Sequence, residues 1–439
     1  MTVTLGINPK KIAQFLILIS PFISGLNTDI SGTTVYLHYI TMLTGTTLII
    51  ATNKKLYMPS EVFIFYLATL IISTASAILS NNNQAEKTII THTFISGTKL
   101  AFTMLFVISF LCLYHSHKKS IESLFTPYLN ISIAFCYIAI AQEIIFITTK
   151  INIPEALGLT YKNYGSYIGV PSLSVEPAFF ACAILPAACY YIAKAIKSRE
   201  LSMNIAITTI AIFISTSSLG VLGIIACTTI SLLFTRKGAT KAIFLCSILI
   251  IPIYALTTSD FFQLRLQDTI RLISSGELSE SNGINLSTYA IGVNAAITTQ
   301  SITDNHGLGV GFGQYSAVFE QYISNYAIPG YRDSIPGEGS ATSFLLRITA
   351  ELGLIGLAAA IFLLIRCTHP TGSKNINHIN IACASTFIII LFRMGEYYSN
   401  GVILVICMLI ASHAEIKSNR NISKYASQQT HPKQEKQSA

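Results

Sequence analysis

Residues 343–365 read SFLLRITAELGLIGLAAAIFLLI, and this segment decides the class of fold to which the chain belongs. It contains only two charged residues, Arg347 and Glu351. A helix rises about 1.5 Å per residue, so this segment is long enough to cross a hydrocarbon core of roughly 30 Å. Similar apolar segments recur along nearly the whole chain. Backbone polar groups must be hydrogen-bonded internally in lipid, so each such segment is predicted to be a helix.

The composition also indicates a membrane protein. Hydrophobic residues make up 51% of the chain and charged residues only 11%, whereas a soluble domain carries about 25% charged residues. The strict alternation expected of an outer-membrane barrel is absent. The net charge of +8 comes from short basic loops, so it does not indicate binding to nucleic acid. We predict an all-α polytopic membrane protein.

About twelve segments are predicted to be spans. They divide the chain into an N-terminal transmembrane region of about nine spans (1–257), one large loop (258–341), a C-terminal transmembrane region of about three spans (342–415) and a disordered cytoplasmic tail (416–439). The spans lie near residues 12–29, 35–52, 59–79, 93–113, 127–149, 175–193, 202–217, 218–235, 240–257, 343–365, 378–394 and 399–414.

Lysine and arginine concentrate in every second loop, which predicts the orientation of the spans. Both chain termini lie on the basic side and are expected in the cytoplasm. The large loop and a shorter loop at 150–174 then face outward, and the shorter loop is hydrophobic enough to pack on the membrane face. The basic loops include Lys10, Lys11, Lys54, Lys55, Lys118, Lys119, Lys194, Lys197, Arg236, Lys237, Arg366 and Lys417.

Charged residues within spans are costly in lipid and are often functional. All those found here are predicted to lie toward the outer side, which indicates one polar cavity open to the outside. Alternatively, the pairs 347/351 and 393/396 merely neutralise each other on one helix face. The charged residues are Lys99, Glu143, Glu176, Arg347, Glu351, Arg393 and Glu396.

The large loop adds Arg265, Arg271, Arg332 and His306. A planar guanidinium can bind two phosphate oxygens at once, so an arginine-lined outer cavity suits an anionic ligand with a lipid tail. Simple solvation of these arginines is the alternative. No two histidines in the spans or outer loops have metal-ligand spacing, so no metal site is predicted.

The run from His306 to Tyr315, HGLGVGFGQY, is the most distinctive part of the loop. Glycine at Gly307, Gly309, Gly311 and Gly313 permits close backbone approach or unusual dihedral angles. The run matches neither a dinucleotide fingerprint nor a phosphate loop. It is therefore predicted either to contact the ligand or to form a tight structural turn.

Two stretches resemble the bacterial O-antigen polymerases of the Wzy type, and the related O-antigen ligases share their outline. The first is the glycine-rich run followed by residues 340–356, SATSFLLRITAELGLIG, where a span opens after the large loop. The second is residues 171–180, PSLSVEPAFF, which resembles the Glu-Pro segment at the head of a middle span. With the span count and the loop position, the resemblance covers most of the chain.

The resemblance implies a fold like that of GT-C-type glycosyltransferases and a location in the bacterial inner membrane. It implies an enzyme that joins undecaprenyl-pyrophosphate-linked oligosaccharide repeat units at the periplasmic face, together with a chain-length regulator in the same membrane. The leaving group already carries its activation, so no nucleotide or other cofactor is expected.

Candidate roles follow from that chemistry. Glu176 is the candidate base or sugar-orienting group, although a carboxylate before Pro177 could instead serve the N-terminus of a helix. Arg347 is the second candidate catalytic residue, because it can neutralise the departing pyrophosphate. The candidate substrate-binding residues are Arg265, Arg271, Arg332, Arg393, Lys99, His306, Gly309, Gly311 and Gly313.

Two other functions remain open. An O-antigen ligase, transferring glycan to lipid A-core, usually carries a His-Asn-like pair where this chain has Thr342 and Ser343. Polymerases often carry an arginine upstream of the Glu-Pro, where this chain offers Gly169 and, further away, Lys162. A lipid-linked oligosaccharide flippase is the second alternative, and the missing chain of charges at the bilayer midplane argues against it.

Overall fold

The computed structural model describes most of the chain, which is predominantly helical. The described residues are 8–30, 33–53, 57, 60–80, 86–198, 202–234, 263, 267, 270, 286–326, 337–368, 374–397 and 401–429. The ninth predicted span at 240–257 and the loop residues Arg265, Arg271 and Arg332 lie outside the described residues.

The described elements are helices and two small hairpins. Strand β1 (Asn27–Ile30) pairs antiparallel with β2 (Thr33–Tyr36), and β3 (Lys162–Asn163) pairs antiparallel with β4 (Ile168–Gly169). The helices are α1 (Pro9–Ile19), α2 (Leu37–Thr52), α3 (Ser60–Ser80), α4 (Glu86–Ser116), α5 (Ile121–Thr149), α6 (Ile153–Ala156), α7 (Pro177–Ser198), α8 (Met203–Ile214), α9 (Ser218–Leu233), α10 (Leu286–Asp304), α11 (Tyr315–Tyr326), α12 (Phe344–Cys367), α13 (Lys374–Arg393) and α14 (Val402–Gln429).

Among the described residues, six helices are long and apolar enough to cross a membrane. The helical membrane protein predicted from the sequence is supported at this level, while the count of twelve spans stays a prediction. Four further apolar segments are shorter, at Leu37–Thr52, Tyr66–Ala75, Met203–Ile214 and Ser218–Leu233. The six long segments are Phe94–Ser116, Ile121–Thr149, Pro177–Lys197, Phe344–Cys367, Asn375–Arg393 and Val402–Asn421.

The first predicted span, 12–29, is wrong in its second half. Helix α1 ends at Ile19, a 3-10 turn covers Ser20–Phe22, and residues 27–30 form β1. Pro21 has no backbone N–H and so cannot continue the helical hydrogen-bonding. The 11 residues of α1 rise only about 16 Å, roughly half of a hydrocarbon core.

The predicted disordered tail also needs correction. Helix α14 continues to Gln429, so residues 416–429 are helical where disorder was predicted. This stretch is polar but contains neither glycine nor proline, and extending an existing helix costs far less than nucleating one. Glu415, just before it, accepts a hydrogen bond at 2.8 Å from the backbone N–H of Ile121.

The helices pack into a bundle whose two ends differ chemically. At one end, Asn375 at the start of α13 donates to Glu122 at the start of α5, over 2.6 Å. Helices α4, α7 and α12 terminate at this end, close to Lys118, Lys197 and Arg366. The opposite end holds the N-termini of α7 and α12 and the C-terminus of α13, and it carries the site described next. Assignment of the basic end to the cytoplasm stays a prediction.

Candidate functional site

A break in helix α12 creates the framework of the site. Gly353 has φ 70° and ψ −162°, a backbone conformation that is essentially restricted to glycine. The break removes the helical partners of the carbonyls of Ala350 and Glu351, and these accept hydrogen bonds from the N–H groups of Val310 and Gly311 at 3.0 and 2.9 Å. The chain around 307–311 thus satisfies backbone groups that lipid could not.

Residues 307–315, the glycine segment, are fitted closely against α12. A methyl group at Gly309 would overlap the backbone carbonyl of Glu351. Gly311 and Gly313 have φ angles of 110° and 75°, which favour glycine. Gly309, Gly311 and Gly313 are all buried. The three glycines therefore have a structural role in packing the segment against α12, and their contact with a ligand stays a prediction.

The fully buried carboxylate of Glu351 is the centre of the site. It accepts hydrogen bonds from the backbone N–H groups of Gly313 and Tyr315 at 2.7 and 3.3 Å. The hydroxyl of Tyr397 donates at 2.6 Å and Nε of Arg347 at 2.9 Å. A buried carboxylate is costly unless it is paired and hydrogen-bonded, and four donors meet that requirement here.

Arg347 is also buried and bound to protein groups. Its Nη1 donates to the carbonyl of Gly395 at 2.8 Å, and its guanidinium lies 4.3 Å from the centre of the Tyr397 ring. The pairing with Glu351 that the i, i+4 spacing allowed is confirmed as a salt bridge. Arg347 therefore fixes Gly395 and Tyr397, so this arrangement favours a positioning role over direct contact with a ligand.

Helices α3 and α4 hold the glycine segment from its other side. Lys99, half-buried in α4, donates from Nζ to the carbonyl of Gly313 at 2.5 Å. The amide of Gln314 donates to Ser96 at 3.2 Å, and the N–H of Phe312 donates to Ser73 at 2.9 Å. We refer to Lys99, residues 311–315, Arg347, Glu351 and Tyr397 together as the Glu351 cluster.

A second charged pair lies beside this cluster. Glu176 precedes the first residue of α7, and Arg393 is the last residue of α13. The two side chains are half-buried and within electrostatic range of each other. Glu396 is likewise within electrostatic range of Arg347. Residues 393–397 therefore join the Glu176–Arg393 pair to the Glu351 cluster.

Six of the seven predicted intramembrane charges thus converge, and Glu143 is the exception. Glu143 accepts a hydrogen bond from the N–H of Ile168 at 3.2 Å. It therefore links the loop at 150–174 to α5. His306 is exposed in the turn after α10, in a left-handed conformation. Contact between His306 and the substrate stays a prediction. The same holds for substrate contacts of Arg265, Arg271 and Arg332, which lie outside the described residues.

Sequence reasoning missed the uncharged members of the site. Tyr397 contacts both Glu351 and Arg347, while Ser73 and Ser96 bind the glycine segment. A usable signal for Tyr397 is its place directly after Glu396, at the end of a predicted span. Single serines in apolar helices carry no such signal, because they commonly bond to their own helix.

The charges of the site balance formally among the described residues. Lys99, Arg347 and Arg393 oppose Glu176, Glu351 and Glu396. No group of three or more potential metal ligands is found in the described part of the chain. A strongly anionic ligand would therefore need positive charge from elsewhere, and the large loop contains Arg265, Arg271 and Arg332.

No protein-family model, curated protein or solved structure matches this chain. The functional assignment rests instead on the chemistry and geometry of the site and on the two short stretches that resemble O-antigen polymerases.

Proposed function

We propose that this chain is a glycan polymerase of the bacterial inner membrane, which joins undecaprenyl-pyrophosphate-linked repeat units at the periplasmic face. One observation carries the proposal. Arg393 of α13 lies within electrostatic range of Glu176 before α7, and residues 393–397 connect this pair to Arg347, Glu351 and Lys99 at the same end of an apolar bundle. A membrane enzyme acting on lipid diphosphates needs such a site at the level where the headgroup emerges from the bilayer.

The proposed step is a substitution at an anomeric carbon. The oxygen of a sugar hydroxyl on one lipid-linked unit attacks the anomeric carbon of a second glycan and forms the new glycosidic bond. The bond between that carbon and the pyrophosphate oxygen breaks, and undecaprenyl pyrophosphate leaves with the electron pair. The hydroxyl proton passes to a carboxylate, for which Glu176 is the candidate.

Different polar residues neutralise the leaving group and position the site. Arg393 neutralises the departing pyrophosphate, and Arg265, Arg271 and Arg332 supply the excess positive charge that the described site lacks. Arg347 and Lys99 act mainly as positioning residues, because they bind Glu351, Gly395 and the glycine segment.

The ligase alternative finds less support in the site. The ligase-type pair is replaced by Thr342 and Ser343, and Ser343 caps α12 by accepting from the N–H of Leu346 and donating to the carbonyl of Leu391. Neither residue is a base. The flippase alternative requires a polar route through the bundle, whereas six charged residues gather at one end of it.

A deletion strain separates the three functions on a gel of surface lipopolysaccharide. Loss of a polymerase leaves core carrying a single repeat unit. Loss of a ligase leaves bare core with long glycan on the lipid carrier. Loss of a flippase leaves bare core with single units on the cytoplasmic face. Only the first result agrees with the proposal.

Complementation of the deletion strain with variants tests the roles of individual residues. We expect Arg393→Ala and Glu176→Gln each to lower the rate of chain extension about 100-fold, the scale of losing one electrostatic stabiliser. Arg366→Ala is the matched control, because Arg366 is exposed at the opposite end of α12. Immunoblots confirm equal protein levels. A wild-type ladder from either variant removes that residue from the mechanism.

A further inference from the structure

The β3–β4 hairpin in the loop at 150–174 is held firmly against the helices. Lys162 donates from Nζ to the carbonyl of Thr216 at 3.1 Å, and the N–H of Val170 donates to the carbonyl of Ile214 at 3.2 Å. The N–H of Ile168 binds the buried carboxylate of Glu143. These bonds tie both strands of the hairpin to α5 and to the α8–α9 turn, so the hairpin can present side chains in fixed positions.

Two tyrosine side chains stack on each other on this hairpin. The rings of Tyr164 and Tyr167 lie 4.8 Å apart, centre to centre, with an interplanar angle of 15°. Tyr164 is half-buried, while the Tyr167 residue is 43% exposed. One face of the Tyr167 ring is covered by Tyr164, and the residue is nevertheless exposed.

The same loop carries exposed hydrogen-bonding groups. The exposed carboxylate of Glu155 accepts from the hydroxyl of Tyr161 at 3.0 Å and from the amide of Asn152 at 2.9 Å. The bond to Glu155 raises the pKa of Tyr161 above that of a free tyrosine. Asn163 is exposed on β3 itself. The loop thus carries donors and acceptors as well as the exposed Tyr167.

The hairpin also begins beside the proposed site. The N–H of Thr160 donates to the carbonyl of Val175 at 3.0 Å, and Val175 is the residue directly before Glu176. The end of the hairpin that is remote from Tyr164 and Tyr167 therefore lies next to Glu176, and a glycan bound at Glu176 can follow the hairpin from there. This continuity distinguishes the hairpin from tyrosines that merely anchor a protein in the headgroup region.

We propose that the hairpin is a carbohydrate-binding subsite, in which one sugar ring of a glycan stacks on Tyr167 and neighbouring sugars of the same glycan bond to Glu155 and Asn163. A pyranose ring has an apolar C–H face that suits an aromatic ring, and a rim of hydroxyl groups that suits amides and carboxylates. The inference rests on the proposed function for its assignment to the growing glycan.

The test measures binding of a sugar without its lipid. The full-length protein in detergent is titrated with the free oligosaccharide that mild acid releases from the host's lipid-linked repeat unit. We expect Tyr167→Ala to weaken binding about ten-fold, as loss of an aromatic contact would, and Tyr167→Phe to retain it. The control is Tyr137→Ala, which removes a tyrosine that is 55% exposed on α5, away from the hairpin. Glu155→Gln, an exposed change, provides a second variant if Tyr167→Ala does not fold.

The outcomes separate this inference from the proposed function. Equal affinities for wild type, Tyr167→Ala and Glu155→Gln would overturn the subsite. Absence of oligosaccharide binding in wild type, together with single-repeat core in the deletion strain, would overturn the subsite and leave the polymerase proposal standing. Specific binding at Tyr167, together with a normal ladder in the deletion strain, would support the subsite and end the polymerase proposal.

Discussion

Glu351 shows how one buried side chain joins distant parts of the sequence. Its carboxylate accepts donors from the glycine segment, from its own helix through Arg347 and from the segment after α13 through Tyr397. The i, i+4 pair with Arg347 could be predicted from spacing. The bonds to Gly313 and Tyr397 could not, because they join residues 38 and 46 positions apart along the chain.

Glu351→Gln tests the importance of this carboxylate. Removing one partner of a buried ion pair leaves an uncompensated charge on Arg347, so we expect a loss of about 3 kcal/mol in the free energy of unfolding. Thermal unfolding of the purified protein in detergent measures the change. Glu320→Gln, at an exposed position on α11, should change stability by no more than about 0.5 kcal/mol. Equal stability of the two variants would show that Glu351 does not organise the cluster.

At the scale of elements, the sequence predicts where helices lie better than where they break. The turn between α8 and α9 falls at the predicted position, residues 215–218. The break inside α12 was not predicted, because a single glycine in an apolar segment usually remains helical. The break depends on the glycine segment, which supplies replacement hydrogen bonds from elsewhere in the chain.

Gly353→Ala distinguishes a broken helix from a continuous one by the sign of its effect. In a regular helix, alanine is favoured over glycine by about 1 kcal/mol. At Gly353 the positive φ penalises alanine, and a methyl group would meet the backbone around Gly307 and Leu308. We therefore expect a lower unfolding temperature for Gly353→Ala. Gly97→Ala in α4, where the new methyl group makes only ordinary contact with Leu70, should be neutral or stabilising. A stabilised Gly353→Ala variant would contradict the break.

Considered as a whole, the molecule is a helical bundle with basic groups at one end and the mixed-charge site at the other. For the basic residues that the structure describes, this separation agrees with the loop charges, while the orientation in a membrane stays a prediction. The individual site members were harder to predict, because an apolar helix does not reveal which face meets its neighbours. Tyr397 and the serines of α3 and α4 became recognisable only once the helices were packed together.

Labelling of single cysteines tests the orientation of the bundle. We expect a membrane-impermeant maleimide to label Asn163→Cys on the outer hairpin in intact spheroplasts. Lys197→Cys, at the basic end of α7, should react only after the membrane is permeabilised. The eight native cysteines in the described part of the chain are all buried, and the unsubstituted protein measures any background. The reverse pattern would place the site in the cytoplasm and contradict the proposed function.

Reconstitution tests the central claim most directly. The purified chain in liposomes is supplied with undecaprenyl-pyrophosphate-linked repeat units, a chelator and no nucleotide, and the products are separated by size. We expect a ladder of glycans together with one free undecaprenyl pyrophosphate for every bond formed, and both should be strongly reduced in Arg393→Ala. Intact protein that leaves the repeat units unjoined, or a ladder that Arg393→Ala does not change, would contradict this account of the site.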